Sequence, residues 1–193
     1  MAAFLETERL VLRDFTDSAS DLDEVFALHD DPEVMRFING GRPASRDAIR
    51  ERTLPQLLER FAAFDGGRGC WAAHDRADDR FVGWFALRPV QPDRATVADL
   101  GYRLRRDAWG RGYATEGARA LVDKGFRDLR VNRIVADTMT VNARSRRVLE
   151  KAGLTLVGQF HCDWPEVIEG SAQGDVAYAL TREAWAAGRG AAH

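Results

Sequence analysis

Leu100-Gly-Tyr-Arg-Leu-Arg-Arg-Asp-Ala-Trp-Gly-Arg-Gly-Tyr-Ala-Thr-Glu116 is the stretch on which the reading of this chain turns. Thr96 to Leu104 reads as a strand. Ala114 to Leu129 carries apolar residues at 118, 121, 122, 125, 126 and 129, the stripe of an amphipathic helix. Between them lies the turn Trp109-Gly110-Arg111-Gly112-Tyr113-Ala114. Glycines at 110 and 112 allow positive φ and close approach of a ligand to the backbone. A helix that begins there offers unpaired N–H groups and the positive end of its dipole. A pyrophosphate suits such a corner, and Arg106 and Arg111 can add charge-assisted hydrogen bonds. From spacing alone, a glycine turn without a ligand is an equal reading. No Gly-x4-Gly-Lys-Ser/Thr run exists. A dinucleotide fingerprint needs a third glycine where Thr115 stands, and it belongs early in a parallel βαβ unit.

Working outward, Leu5 to Phe15 alternates as one strand, and Asp17 to Asp31 follows as a helix. Pro32 to Ile38 adds another turn, with Pro at a permitted first position. Ser45 can cap a helix running to about Phe64, kinked near Leu54 by Pro55. Cys70 to His74, Phe81 to Arg88 and Thr96 to Leu104 form an antiparallel meander with turns at 77–79 and 92–93. Beyond the central helix, Arg133 to Thr140 is a strand and Asn142 to Ala152 a helix. Leu154 to Cys162 and Asp175 to Leu180 are strands, with a loop at 163–174. The pattern is α/β (α+β): a mixed, mostly antiparallel sheet of six or seven strands with helices on both faces.

The 193 residues fit a single domain over 1–187 with a disordered tail at 188–193. With 45% hydrophobic and 30% charged residues the chain reads as globular, and a net charge of −2 does not favour nucleic acid. No apolar run approaches a membrane span, and the start has no basic, then apolar, leader pattern. Cys70 and Cys162 lack a CxxC partner and read as reduced, mostly buried thiols, so the expected location is cytoplasmic. The four histidines show no metal spacing.

The run Gly101-Tyr-Arg-Leu104 followed by Trp109-Gly-Arg-Gly-Tyr-Ala-Thr-Glu116 resembles the acetyl-CoA motif of GNAT-superfamily N-acetyltransferases. Val141-Asn-Ala-Arg-Ser-Arg-Arg-Val-Leu-Glu-Lys-Ala-Gly-Leu154 is similar to their next motif. Glu6-Thr-Glu-Arg-Leu-Val-Leu-Arg13, Asp30-Asp-Pro-Glu-Val-Met35 and the ending Tyr178 to Trp185 resemble the RimJ/RimL-like, ribosomal-protein-modifying branch. The resemblance covers about residues 5–185. It implies a sheet splayed into a V, acetyl-CoA in the cleft and no metal. Pantetheine would pair with the backbone of Tyr102, Arg103, Leu104 and Arg105. The pyrophosphate would rest on Gly110, Arg111, Gly112, Tyr113, Ala114 and Thr115. Trp109 stands where the wider family has Gln or Arg, and Leu149 where many relatives carry a tyrosine that protonates the thiolate.

Acetyl transfer to an amine needs a proton acceptor for the amine, a polarised carbonyl, a stabilised thiolate and positioning. Asn142 is a candidate coenzyme contact and equally a helix N-cap. Ser145, one turn on, can reach the thioester sulfur or serve as a second cap. Asp99, on the strand leading to the cleft, is a candidate base. Asp163, where ribosomal-type relatives tend to place an acidic residue, is the other. The acceptor is expected to be a protein N-terminus or a small-molecule amine, an aminoglycoside among them. Neither nucleic acid nor membrane is expected as a partner, and a homodimer is expected by analogy. A non-catalytic acyl-CoA sensor is the competing class.

Overall fold

The computed structural model describes residues 3–162 and 168–190. Eight strands build the main sheet: β1 Leu5–Glu6, β2 Leu10–Asp14, β3 Cys70–Asp75, β4 Phe81–Gln91, β5 Arg94–Leu104, β6 Arg133–Met139, β7 Thr155–Phe160 and β8 Asp175–Thr181. Their order is β1-β2-β3-β4-β5-β6-β8-β7. Every pairing is antiparallel except β5 with β6. The count exceeds the six or seven expected because Leu5 to Phe15 is two strands. The Thr7 N–H donates to the Leu10 carbonyl at 2.9 Å, so the chain doubles back and pairs Leu5 with Leu12.

One face of the sheet carries α1 Ala19–Asp30, α2 Pro32–Asn39 and a helical segment over 46–57, α3. Ser18 and Asp31 cap the first two by accepting from Asp21 and Glu33 backbone N–H groups. In α3 the stretch Ile49–Thr53 widens to π-helix, with the Leu54 N–H reaching the Ile49 carbonyl. Pro55 cannot donate to the turn before it, and the wide turn accommodates that loss. The helix then ends at Leu57 rather than Phe64, since Arg60–Phe61 pairs with Gly67–Arg68. Phe15, Leu22, Val25, Leu28, Ile49 and Leu54 pack this layer onto Cys70, Ala72 and Ala86.

The other face carries α4 Tyr113–Arg127 and α5 Ala143–Lys151. Leu121, Phe126 and Leu149 are buried there against Phe85, Leu87 and Leu100, each fully buried side chain contributing about 1.5–3 kcal/mol. The final helix, α6 Arg182–Gly190, docks Trp185 on Phe126 and donates from its indole to Asp123 at 2.7 Å. The tail expected to be disordered from 188 is therefore helical through 190. Cys70 is buried as expected, whereas Cys162 is exposed. No helix among the described residues is long and apolar enough to cross a membrane.

The opening of the sheet positions the site. β5 and β6 pair in register only at Val97 with Arg133, Ala98 with Ile134 and Asp99 with Val135. Past Asp99 they part: β5 stays paired with β4 to Leu104, and β6 with β8 to Met139. The gap between them is a V whose vertex is at Asp99.

On the α1 side, Asp21 is 1% exposed and takes bonds from Arg13 at 2.7 and 3.1 Å and from the Thr16 N–H at 2.6 Å. Burial pushes its carboxyl up, but Arg13 and Thr16 outweigh this and hold it below the ordinary range. Asp21→Ala leaves Arg13 only the more distant Glu24 carboxylate, at 3.7 Å, and is expected to cost about 3 kcal/mol of stability at pH 7. A depressed native pKa stabilises above the unfolded value, about 3.9, and the gain is lost as pH falls through the native value. The melting-temperature gap between the two proteins should therefore close in acid. A gap that persists undiminished at pH 2 contradicts this role.

Candidate active site

The turn after β5 has the conformation its glycines were expected to supply. Gly110 and Gly112 lie at φ +71° and +87°, and Gly112 is the N-cap of α4. No side chain caps that helix. The Glu116 N–H makes the first backbone bond, to the Gly112 carbonyl. The N–H groups of Tyr113, Ala114 and Thr115 are thus left to a ligand, in front of a Gly110 whose α-carbon faces open space. This arrangement fits a diphosphate.

A residue without an assigned role in the sequence holds the turn. Arg9, just before β2, donates from Nη1 to the Arg111 carbonyl at 2.9 Å and from Nε to Glu116 at 2.7 Å, and lies over the Tyr113 ring. Glu116 also accepts from Thr7 Oγ1 at 2.6 Å and the Arg9 N–H at 2.9 Å. Burial raises its carboxyl, but these donors hold it below the usual carboxylate range. Trp109 serves the fold here, since its indole N–H donates to the Leu104 carbonyl at 2.8 Å and closes the end of β5. Of the two arginines expected at the phosphate, Arg111 is exposed beside the turn. Arg106 instead approaches Asp31, the cap of α2, at 3.8 Å.

Backbone alternation corrects the expected pantetheine contacts. The Arg105 N–H donates to Val82 on β4 at 2.9 Å, and the Thr96 carbonyl accepts from Asn132 beyond β5's other edge at 3.0 Å. Backbone groups alternate in direction along a strand. Odd residues of β5 therefore face β4, and Leu100, Tyr102 and Leu104 face the V. Arg103 and Arg105 are excluded as backbone partners in the cleft. The Arg105 side chain pairs with Asp107 at 3.3 Å, and that of Arg103 turns to the α1 side.

The two walls of the V meet through side chains. The Tyr102 hydroxyl lies 3.1 Å from the Ser145 carbonyl and 3.0 Å from Ser145 Oγ. Arg144 stacks over the Trp109 indole. Asn142 Oδ1 accepts from the Ser145 N–H at 3.2 Å. Asn142 is therefore the α5 N-cap. Burial pushes the Tyr102 phenol up to about 12, against the opposing Ser145 bond, so it stays protonated at every working pH. Leu149 is buried in the core, and Tyr102 is the phenol at the seam.

Asp99 marks the vertex. Its side chain is exposed, yet the surrounding protein raises its pKa, the neighbouring Asp137 carboxylate adds to the rise, and Arg88 opposes it. Solvent screening limits the rise. Asp137 is itself raised, by burial first and then by Asp175. Asp163 lies outside the described residues. An open concavity of about 680 Å³ beside α4, lined by Glu6, Glu8, Gly112, Thr115, Arg119 and Lys151 among others, meets the turn but not the vertex.

Residues 9–155 match the family model of the acetyltransferase (GNAT) domain. The chain is 37% identical over 162 residues to FsC-acetyl coenzyme A-N(2)-transacetylase of Aspergillus fumigatus, covering 80% of this chain and 67% of that protein. An acetyltransferase of the GNAT family from Bacillus anthracis superposes with a TM-score of 0.74 at 23% identity, covering 93% of this chain and 98% of that one. Spermidine N-acetyltransferase from Vibrio cholerae, solved with CoA and spermine, gives 0.72 at 17% identity, covering 93% and 99%.

Proposed function

The chain belongs to the acetyltransferase (GNAT) family and is an acetyl-CoA-dependent N-acetyltransferase; from that premise we propose that it acetylates the primary amine of a small molecule by direct attack, with Asp99 as general base. Acetyl-CoA supplies an activated acyl carbonyl. The other chemistry belongs to the chain. The diphosphate takes the N–H groups at 113–115, and the pantetheine takes Leu100, Tyr102 and Leu104, so the acyl end comes to the vertex. A backbone N–H facing the V there polarises the carbonyl. A primary ammonium has a pKa near 10.4, so attack requires a proton acceptor, and Asp99 supplies it directly or through one water. That the carboxylate stands where β5 and β6 separate is the observation carrying this reading.

Ser145 Oγ donates to the departing sulfur, while Tyr102 donates to Ser145 Oγ. Ser145→Ala is expected to lower kcat about 10- to 100-fold, below the full range of acid catalysis because a thiolate leaves readily. The KM for acetyl-CoA should hold, and an unchanged kcat rules the serine out.

A nitrogen acceptor accords with the A. fumigatus relative, named for N(2)-transacetylation of FsC, and a small one with the V. cholerae spermidine N-acetyltransferase. Placement near the RimJ/RimL-like branch rests on segments 6–13, 30–35 and 178–185. A thiol-release assay over a panel of primary amines tests the function. Release that depends on the amine is expected. CoA binding without release on any amine establishes the sensor instead.

A further inference from the structure

Cross-strand neighbours share a face, so Trp84 beside Arg103, Ala86 beside Gly101 and Arg88 beside Asp99 all project from one side of β4 and β5. This is the α1 side, and Asp99 stands at its edge. Three N–H donors in the patch are buried with no acceptor: Nε of Arg88, Nε of Arg103 and Nε1 of Trp84. Arg103 lies over the Trp84 ring and donates from Nη1 to the His29 imidazole, 2.8 Å from Nε2. Burial, and then Arg103 itself, hold His29 down to about 3, so it is neutral and brings no countercharge. Arg88 bonds the Cys70 thiol and lies near enough to Arg103 to repel it. Among the described residues no carboxylate forms a close ion pair with Arg88 or Arg103, although Asp99, opposite Arg88 across the strands, is near enough to feel its charge.

Two half-buried guanidinium groups whose buried Nε–H donors meet no acceptor are costly, and native structures rarely leave such donors unmet. The unmet groups here are all donors, so their complement is an acceptor-rich anion. Small residues form the floor between them: a Cβ on Gly101 would touch only Trp84 and Ala86, at 3.7 and 3.8 Å. That floor is two residues from Asp99, about 7 Å along the strand. A short carbon chain spans this distance between a carboxylate at the arginines and an amine at Asp99.

We propose that Arg103 and Arg88 form the anion subsite of the acceptor pocket, and that the acceptor is a primary amine that also bears a carboxylate. Trp84 contributes its indole N–H to the same group. The inference rests on the reading of Asp99 as the vertex base and adds the substrate class. Arg103 and Arg88 are specificity residues: they hold the acceptor and take no part in proton transfer. A polycationic acceptor, which Asp99, Asp137 and Asp175 alone would suit, is disfavoured by the same two cations.

The test compares ω-amino acids of three to five carbons with their terminal carboxamides as acceptors, by thiol release and by tryptophan fluorescence in the presence of CoA. Wild-type enzyme is expected to favour carboxylates by about 10- to 100-fold in kcat/KM, the range for hydrogen bonds to a charged group. Arg103→Gln should abolish the preference through the acceptor KM and leave the acetyl-CoA KM unchanged. Arg88→Gln should reduce it, which secures the test if Arg103→Gln does not fold. Transfer to both acceptor classes at equal rates overturns the subsite and leaves the acetyltransferase reading intact. Carboxylate binding that Arg103→Gln removes, without transfer to any amine, retains the subsite and overturns the base assignment. Absence of both transfer and carboxylate binding overturns both.

Discussion

Asp99→Asn is expected to lower kcat by about 10²- to 10⁴-fold, the usual contribution of a positioned acid or base, with the acetyl-CoA KM unchanged. Asparagine keeps the shape and hydrogen-bonding capacity of the side chain but cannot take a proton. The loss should shrink at high pH, where more of the amine arrives neutral. In wild-type enzyme the acid limb of kcat/KM reports the base in the free protein. Because the surrounding protein and then Asp137 raise Asp99, that limb should lie above the ordinary carboxylate range. Asp137→Asn removes a like charge and should move the limb to lower pH with little change in kcat. If Asp99→Asn keeps the wild-type rate and acid limb, the base lies elsewhere, and Asp163 is the next residue to replace.

Gly112→Asp is expected to raise the CoA dissociation constant by at least about 100-fold, which corresponds to about 2.7 kcal/mol. Three helix N–H groups facing a diphosphate are charge-assisted donors, each worth about 1.5–3 kcal/mol. A carboxylate at 112 occupies their approach and repels phosphate. The fold should survive. The left-handed conformation costs a non-glycine residue about 1–2 kcal/mol, but a carboxylate at the head of an uncapped helix is favourable. The added Cβ would meet only Arg9 Nη2, at 3.1 Å, the end of a flexible side chain. A near-wild-type melting temperature with lost CoA binding is the expected pair of results. Wild-type affinity in this variant removes the diphosphate from the turn.

The local elements were readable because their signals are local. Ser18, Asp31, Ser45 and Asn142 cap helices through side-chain bonds, and the glycine turn adopted the positive φ its composition demanded. Features set by distant contacts were not readable. Alternation runs through Leu5 to Phe15 and conceals the reversal at Thr7. The periodicity of α3 continues past Leu57, but the pairing of Arg60–Phe61 with Gly67–Arg68 stops it. The vertex depends on where β6 leaves β5, which no pattern within either strand specifies. Asp99 was thus identifiable as a strand carboxylate near the cleft, but not as the residue at the fork.

Arg103 shows the cost of transferring a motif as a block. The motif assigned its backbone to the coenzyme, whereas strand alternation sends that backbone to β4 and the side chain to His29 and Trp84. Once Tyr102 faces the V, its neighbour on the same strand cannot. Arg9 was hidden for a different reason: it acts on a turn more than 100 residues away, and only the sheet brings the two together.

Calorimetric titration of wild-type protein and Gly112→Asp with CoA and with pantetheine, which lacks the diphosphate, tests the coenzyme site most directly. Wild-type protein should bind CoA at least about 100-fold more tightly than pantetheine, and Gly112→Asp should bring CoA down to the pantetheine level while leaving pantetheine unaffected. Equal affinity of wild-type protein for both ligands, or equal loss of both in the variant, contradicts a diphosphate held at the head of α4.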